Sequence, residues 1–175
     1  MYEKSFPHKR FKLTFEFLQK HISRSETILD LGVENPFSKL MVSRGYQVEN
    51  TKGEDLDIDT SSIEHSRSDV VTAFEICEHM LSPLHSLKAI KSRKLVASVP
   101  LKLWFSKAYR SKTDQWDRHY HEFEEWQFDW LLEKAGWTIK DRQRFTHPIK
   151  KIGFRPMLRW FTPRYYLVYA EREMK

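Results

Sequence analysis

Apolar residues along this chain follow two patterns, one recurring every three to four positions and one running unbroken for a few residues. Phe11, Phe15, Leu18 and Ile22 follow the first, which lines one face of a helix. The spacing predicts a helix over 10–21, with Lys9, Lys12, Glu16 and Lys20 turned outward. The run at 27–31 is short and apolar, as in a buried parallel strand. Asn35 then caps a helix over 37–44, with Pro36 at its first position and Gly45 closing it. A second strand is predicted over 46–51 and a β-branched central strand over 69–74. Ser82-Pro83 opens a helix carrying Leu84, Leu87 and Ile90, and 95–99 is a further buried strand ended by Pro100. Trp126, Phe128, Leu131, Leu132 and Ala135 mark a helix over 124–135 that Gly136 ends. The stretches 137–144 and 165–171 read as two closing strands, paired as a hairpin across a long Pro-containing connection.

Two stretches break the alternation. Residues 52–55 alone separate the second strand from Leu56-Asp57-Ile58, and a parallel crossover needs about a dozen residues. The segment 56–58 is therefore read as an edge fragment, with the crossover helix missing. Residues 101–121 mix aromatics and charges without a period, the character of a functional loop or lid. The chain reads as one α/β domain over 1–175, with 1–25 forming an N-terminal helix region.

Composition adds constraints. With 40% hydrophobic residues, 175 residues suffice for one core. No apolar run approaches the roughly 20 residues that span a bilayer. The opening Met1-Tyr2-Glu3-Lys4-Ser5-Phe6 lacks the apolar stretch of a signal peptide. Cys77 is the only cysteine, so no internal disulfide forms and a cytoplasmic location is expected. The net charge of +6 is unevenly placed. Lys140, Arg142, Arg144, Lys150, Lys151, Arg155, Arg159 and Arg164 face only Asp141, whereas Glu49, Glu54, Asp55, Asp57, Asp59 and Glu64 face one lysine. The basic stretch is either a solvated face or a receptor for an anionic substrate or partner. From Arg155 to Tyr166 cations alternate with aromatics. An aromatic connection packed on the sheet with snorkelling arginines is the first reading; RNA ranks last, because no RNA-binding module is recognisable.

The chemistry concentrates at strand ends. In Glu-Thr-Ile-Leu-Asp-Leu-Gly-Val-Glu, residues 26–34, an apolar strand ends in Asp30 and turns through Gly32 into the helix start at Asn35-Pro36. An α/β fold builds a nucleotide-type pocket this way. His79 follows the 69–74 strand and so belongs to the same carboxyl edge. Glu75, leaving that strand, is placed to line the pocket, and Glu78 to orient His79. His119 and His121 alternate around Tyr120 and, in an extended segment, share one side. Their spacing matches no structural zinc pattern, and no metal is expected. Cys77 reads as a small buried residue.

Four motifs then stand in order: Ile28-Leu29-Asp30-Leu31-Gly32; Asp69 through Phe74, Glu75 and Glu78-His79-Met80; Leu95-Val96-Ala97-Ser98-Val99-Pro100; and His119-Tyr120-His121-Glu122-Phe123, followed by a helix and Ala135-Gly136-Trp137. Together they resemble the class I S-adenosylmethionine-dependent methyltransferases of the small-molecule type. The resemblance implies a Rossmann-like, mainly parallel seven-stranded sheet with a C-terminal antiparallel hairpin, trimmed here near the second and third strands. It implies S-adenosylmethionine as cofactor, held by Asp30, Gly32, Glu34, Asp57, Phe74 and Glu75, with Asp57 at the adenine amino group. It also implies a small-molecule acceptor, a metabolite or a glycan or lipid intermediate, for which the basic C-terminal stretch suggests an anionic group. The catalytic role falls among His79, His119 and His121, since the family shares no universal base. The chain departs from the family where Glu34 and Pro36 replace later loop glycines and Lys52 replaces the ribose-binding acid. Glu34 either crowds the methionine end of the cofactor or binds its ammonium group. A binding or scaffold module on the same fold, without catalysis, is the alternative.

Overall fold

The computed structural model describes residues 8–147 and 152–173. Lys150 and Lys151 of the basic stretch, and the opening residues 1–7, lie outside them. Six strands form one sheet: β1 (Thr27–Asp30), β2 (Gln47–Asn50), β3 (Val70–Phe74), β4 (Lys94–Pro100), β5 (Thr138–Thr146) and β6 (Pro163–Glu171). Their order is β2-β1-β3-β4-β6-β5, parallel from β2 to β4, with β6 antiparallel to both β4 and β5. The helices are α1 (His8–His21), α2 (Pro36–Ser43), α3 (Ser61–Glu64), α4 (Pro83–Ala89), α5 (Glu125–Lys134) and α6 (Phe154–Leu158).

Alternation along the strands divides the core into two halves. Ile28, Val70, Val96, Leu167 and Tyr169 face α1 and α2, where Phe11, Phe15, Leu18, Ile22, Phe37 and Met41 cover them. Their neighbours Leu29, Val71, Leu95, Val168 and Ala170 face the other way, onto Ile63, Leu87, Ile90, Phe128, Leu132 and Trp137. A sheet covered on both faces explains why its parallel strands read as unbroken apolar runs. The α2 cap forms as its sequence predicts. The Asn35 side chain accepts from the Phe37 and Ser38 backbone N–H groups, and the Ser38 hydroxyl lies 2.8 Å from the Asn35 N–H.

The sheet has six strands among the described residues, not seven, and 56–58 is a turn rather than an edge strand. The acids of this stretch explain the difference. Asp55 accepts from the Asp57 N–H at 3.0 Å and Asp59 from the Ser61 N–H at 2.9 Å. Such carboxylate-to-backbone bonds hold turns in place of ladder pairing. The Ile58 and Asp59 N–H groups close the turn on the Asp55 carbonyl. Leu56 is buried, and its carbonyl accepts from the Ser86 hydroxyl at 2.6 Å. The single turn of α3 then carries the chain to β3. Between Leu101 and Phe123, which form an isolated bridge, the chain has neither helix nor strand. No helix among the described residues is long and apolar enough to cross a membrane.

Candidate active site

Asp30 ties together the carboxyl ends of three strands. Its Oδ1 accepts from the Thr72 hydroxyl at 2.6 Å, and its Oδ2 from Asn50 Nδ2 at 3.1 Å and Asn35 Nδ2 at 3.4 Å. Those partners stand on β3, on β2 and at the cap of α2. Burial pushes the Asp30 carboxyl up to about 6, against the downward pull of the three hydrogen bonds. Beyond it the chain turns through Gly32, at φ 102°, whose N–H donates to Thr51 Oγ1 at 2.8 Å. Asn50 Nδ2 also donates to the Gly32 carbonyl, so β2 fixes the turn from both sides.

The raised Asp30 carboxyl links stability to pH. Its ordinary value is 3.8 and its folded value about 6, so the fold binds a proton that the unfolded chain releases in between. The contribution of this group favours folding below both values and is lost as pH rises through 6, over a range worth about 2–3 kcal/mol. Asp30→Asn cannot titrate and sets its amide N–H₂ against that of Asn50. The variant should be the less stable protein at about pH 4 and should gain on wild type by about 2–3 kcal/mol by pH 7. Urea denaturation at both pH values measures this; a difference independent of pH would refute it.

A cavity of about 640 Å³ opens above this turn, at the carboxyl ends of β1, β2 and β3. One wall holds Asp30, Gly32 and the segment from Thr51 to Asp57; the other holds Phe74, Glu75, Ile76, His79 and Met80, with Arg10 from α1, Ser98 from β4 and Trp116 from the 101–121 segment. Gly53, at φ 89°, packs the 51–57 segment closely on the turn after β1: a Cβ there would lie 2.8 Å from Val33 Cγ1. Glu75 is the one non-glycine residue with positive φ among the described residues, at 55°. Its carboxylate accepts from the Ser98 hydroxyl at 2.8 Å and pairs with Arg10 at 3.4 Å. A left-handed glutamate costs about 1–3 kcal/mol and persists where the surroundings hold it. Burial raises the Glu75 carboxyl, opposed by Arg10 and Ser98.

Behind this wall, Glu78 is buried and its carboxyl is held well above the usual range by burial and then by Glu75. The His79 and His119 rings meet edge to face at 4.7 Å. Burial, then His79 and Arg164, lower His119 to about 4, so its ring is neutral at physiological pH. The 101–121 segment is pinned here by the Tyr120 and His121 N–H groups on the Glu78 carbonyl. Cys77 is buried, as its sequence context implies, and burial raises its thiol.

Of the residues singled out in the sequence, Asp30, Gly32, Asp57, Phe74, Glu75 and His79 line the one cavity. Glu34 does not. Its side chain is 66% exposed and pairs with Lys39 at 3.0 Å, so it neither crowds the cavity nor reaches into it. The Asn35 cap fixes the turn in a geometry that directs Glu34 to solvent. Asp57 lines the cavity with both oxygens engaged by the Leu81 and Ser82 N–H groups. His119 sits behind His79, whereas His121 turns away, with Nε2 on the Leu81 carbonyl at 3.2 Å. Two cations of the basic stretch are paired within the protein: Arg142 with Asp129 and Arg144 with Glu125. Sequence reasoning missed Arg10, Asn50, Thr51 and Gly53. It also missed a second cavity of about 540 Å³ lined by Arg110, Lys112, Arg118 and His119. A glycine just past β2 was the available signal for Gly53; Arg10 looked like any cation on a helix.

No protein-family description matches the chain, and no curated protein matches it in sequence. Solved structures do match. A SAM-dependent methyltransferase from Methanosarcina mazei superposes with a TM-score of 0.68 at 13% identity, over 91% of this chain and 98% of the other. The [4+2]-cyclase SpnF gives 0.61 at 13% identity, over 99% and 85%. The N-terminal domain of EvdMO1, solved with SAH bound, gives 0.54 at 15% identity, over 97% and 82%. The chain therefore has the class I SAM-dependent methyltransferase fold. The six-stranded sheet is that fold's mainly parallel arrangement with its closing antiparallel hairpin.

Proposed function

We infer that the protein binds S-adenosylmethionine in the 640 Å³ cavity and transfers its methyl group to a small anionic acceptor. The observation that carries this reading is the lining. Five carboxylates, Asp30, Glu54, Asp55, Asp57 and Glu75, stand against Arg10 and Lys52. That excess suits a ligand with a sulfonium and an ammonium centre and a single carboxylate. The volume falls within the range of about 300–1,000 Å³ that holds ligands of this size. At Gly32 and Gly53, which line the cavity, the backbone itself forms the wall. Asp30 and Gly32 would hold the methionine end with Arg10 on its carboxylate. Lys52 and Glu54 would face the ribose, and Leu56, Asp57 and Ile76 the adenine.

Bound there, the cofactor supplies an electrophilic methyl on a good leaving group, and the chain must orient the acceptor and exclude water. His79 and Glu75 mark the acceptor end of the cavity, and Trp116 brings the 101–121 segment over it as a lid. Arg110, Lys112 and Arg118, in the cavity beside His119, favour an acceptor with a carboxylate or phosphate. S-adenosylhomocysteine at about a hundred times its Kd is expected to stabilise the protein by about 2.7 kcal/mol. A chain of this length should then melt roughly 5–10 °C higher. No shift at millimolar ligand would sink the reading. Binding without S-adenosylhomocysteine formation from S-adenosylmethionine, with carboxylated and phosphorylated acceptors alike, would instead favour a module without catalysis.

A further inference from the structure

Glu78 is 1% exposed, and its Oε2 has no hydrogen-bond partner. His119 Nδ1 is likewise buried and unpartnered. A buried polar atom without a partner is rare, because nothing repays its lost hydration. These two belong to one group: single donor atoms of Glu78, His79 and His119 lie within 4.8 Å of one another. Hydrogen bonds do not complete the group, since His79 Nε2 and Glu78 Oε1 are 3.8 Å apart. The His79 tautomer points the same way. Its Nδ1 lies 3.0 Å from the Arg118 carbonyl oxygen, which only accepts, so Nδ1 carries a proton and the nitrogen that a metal would take is Nε2, on the side of Glu78. Metal-bound imidazoles are oriented by such a bond on their other nitrogen.

We propose that Glu78, His79 and His119 bind a divalent transition-metal ion behind the cavity wall at His79. Two imidazoles and a carboxylate suit zinc, manganese or ferrous iron better than calcium or magnesium. Ligands about 2.1 Å from a zinc ion stand roughly 3.4 Å apart in a tetrahedron. Small side-chain rotations bring the present donors to that spacing. Glu75 adds a nearby carboxylate, engaged with Arg10 and Ser98. Because His119 belongs to the 101–121 segment and His79 to the end of β3, the ion fastens lid to sheet. His79 also lines the cavity, so the ion would stand beside the space proposed for the acceptor. The ion site does not depend on the methyl-transfer reading, since none of its ligands belongs to the cofactor end of the cavity.

The test starts from the full chain, stripped with a chelator and titrated with Zn(II) and Co(II) against a chromophoric competitor. About one ion per chain should bind, and Glu78→Gln or His119→Ala should weaken it by about a hundredfold or more. Bound Co(II) should show visible bands of a nitrogen- and oxygen-ligated site, with no thiolate charge-transfer band. That spectrum is read on wild type and so does not depend on the variants folding. A spectrum of the free aquo ion, or equal affinity in wild type and both variants, would overturn the proposal. Melting the same samples with S-adenosylhomocysteine separates the two inferences. A cofactor shift without metal binding removes this site alone, and metal binding without the shift removes only the cofactor reading.

Discussion

Gly32→Val should weaken S-adenosylhomocysteine binding by about a hundredfold or more, equivalent to roughly 2.8 kcal/mol, while Gly136→Val leaves it unchanged. Both glycines hold left-handed backbone, at φ 102° and 89°. A β-branched residue is strained there by about 1–3 kcal/mol, so both variants should lose similar stability. They differ in what the new side chain meets. A Cβ at Gly32 would stand 3.2 Å from Ile76 Cδ1, on the opposite wall of the cavity, whereas at Gly136 nothing lies within 4 Å. The valine methyls would therefore drive Ile76 into the space proposed for the cofactor. Calorimetric titration of both variants isolates this effect from strain. Equal affinities in the pair would take Gly32 out of the binding wall.

Phe128→Ala should lower the melting temperature by about 6–20 °C, from a loss of about 3–5 kcal/mol. Phe128, on the inner face of α5, is wholly buried, with its ring 5.3 Å from Phe123 and 6.5 Å from Tyr166. Leu18→Ala, wholly buried on the opposite face of the sheet, should cost about 2–5 kcal/mol. The two separate in the lid. Phe123 bridges Leu101, and its carbonyl accepts from the Lys102 N–H at 2.8 Å, which closes the base of the 101–121 segment. Limited proteolysis below both transitions should therefore cut that segment faster in Phe128→Ala than in Leu18→Ala. Equal rates would show that the lid is not anchored through Phe128.

What the sequence revealed depended on how local each signal was. The stripe of Phe11, Phe15, Leu18 and Ile22 needs only helical geometry to be read, and all four residues are buried. Asn35-Pro36 carries its cap within four residues. The turn at 56–58 failed because side-chain bonds from Asp55 and Asp59 outcompete strand pairing, and α3 is too short to show a period. Glu34 was judged by its place in a motif, whereas the Asn35 cap sets the turn so that it faces solvent, where it pairs with Lys39. Asn50 and Arg10 gain meaning only from partners far away in the chain. Asn50 reaches Asp30 because β1 and β2 pair in that register, and Arg10 reaches Glu75 because α1 packs over the end of β3. The spacing of His119 and His121 matched no zinc pattern, and the Glu78–His79–His119 group was not legible at all, because it assembles only when the 101–121 segment folds back on the end of β3.

The last strand to be made, β6, lies inside the sheet, between β4 and β5, and places Tyr166, Leu167, Val168 and Ala170 in the core. On the ribosome this sets a delay. At about 5–20 residues per second, roughly 4–14 s pass between synthesis of the end of β4 and of β6. For that interval β4 presents an apolar strand with one edge unpaired, the condition that favours mispairing with other chains. The sheet therefore closes after, not during, synthesis of its parallel half, and nascent chains are expected to lean on chaperones until residues 163–171 emerge.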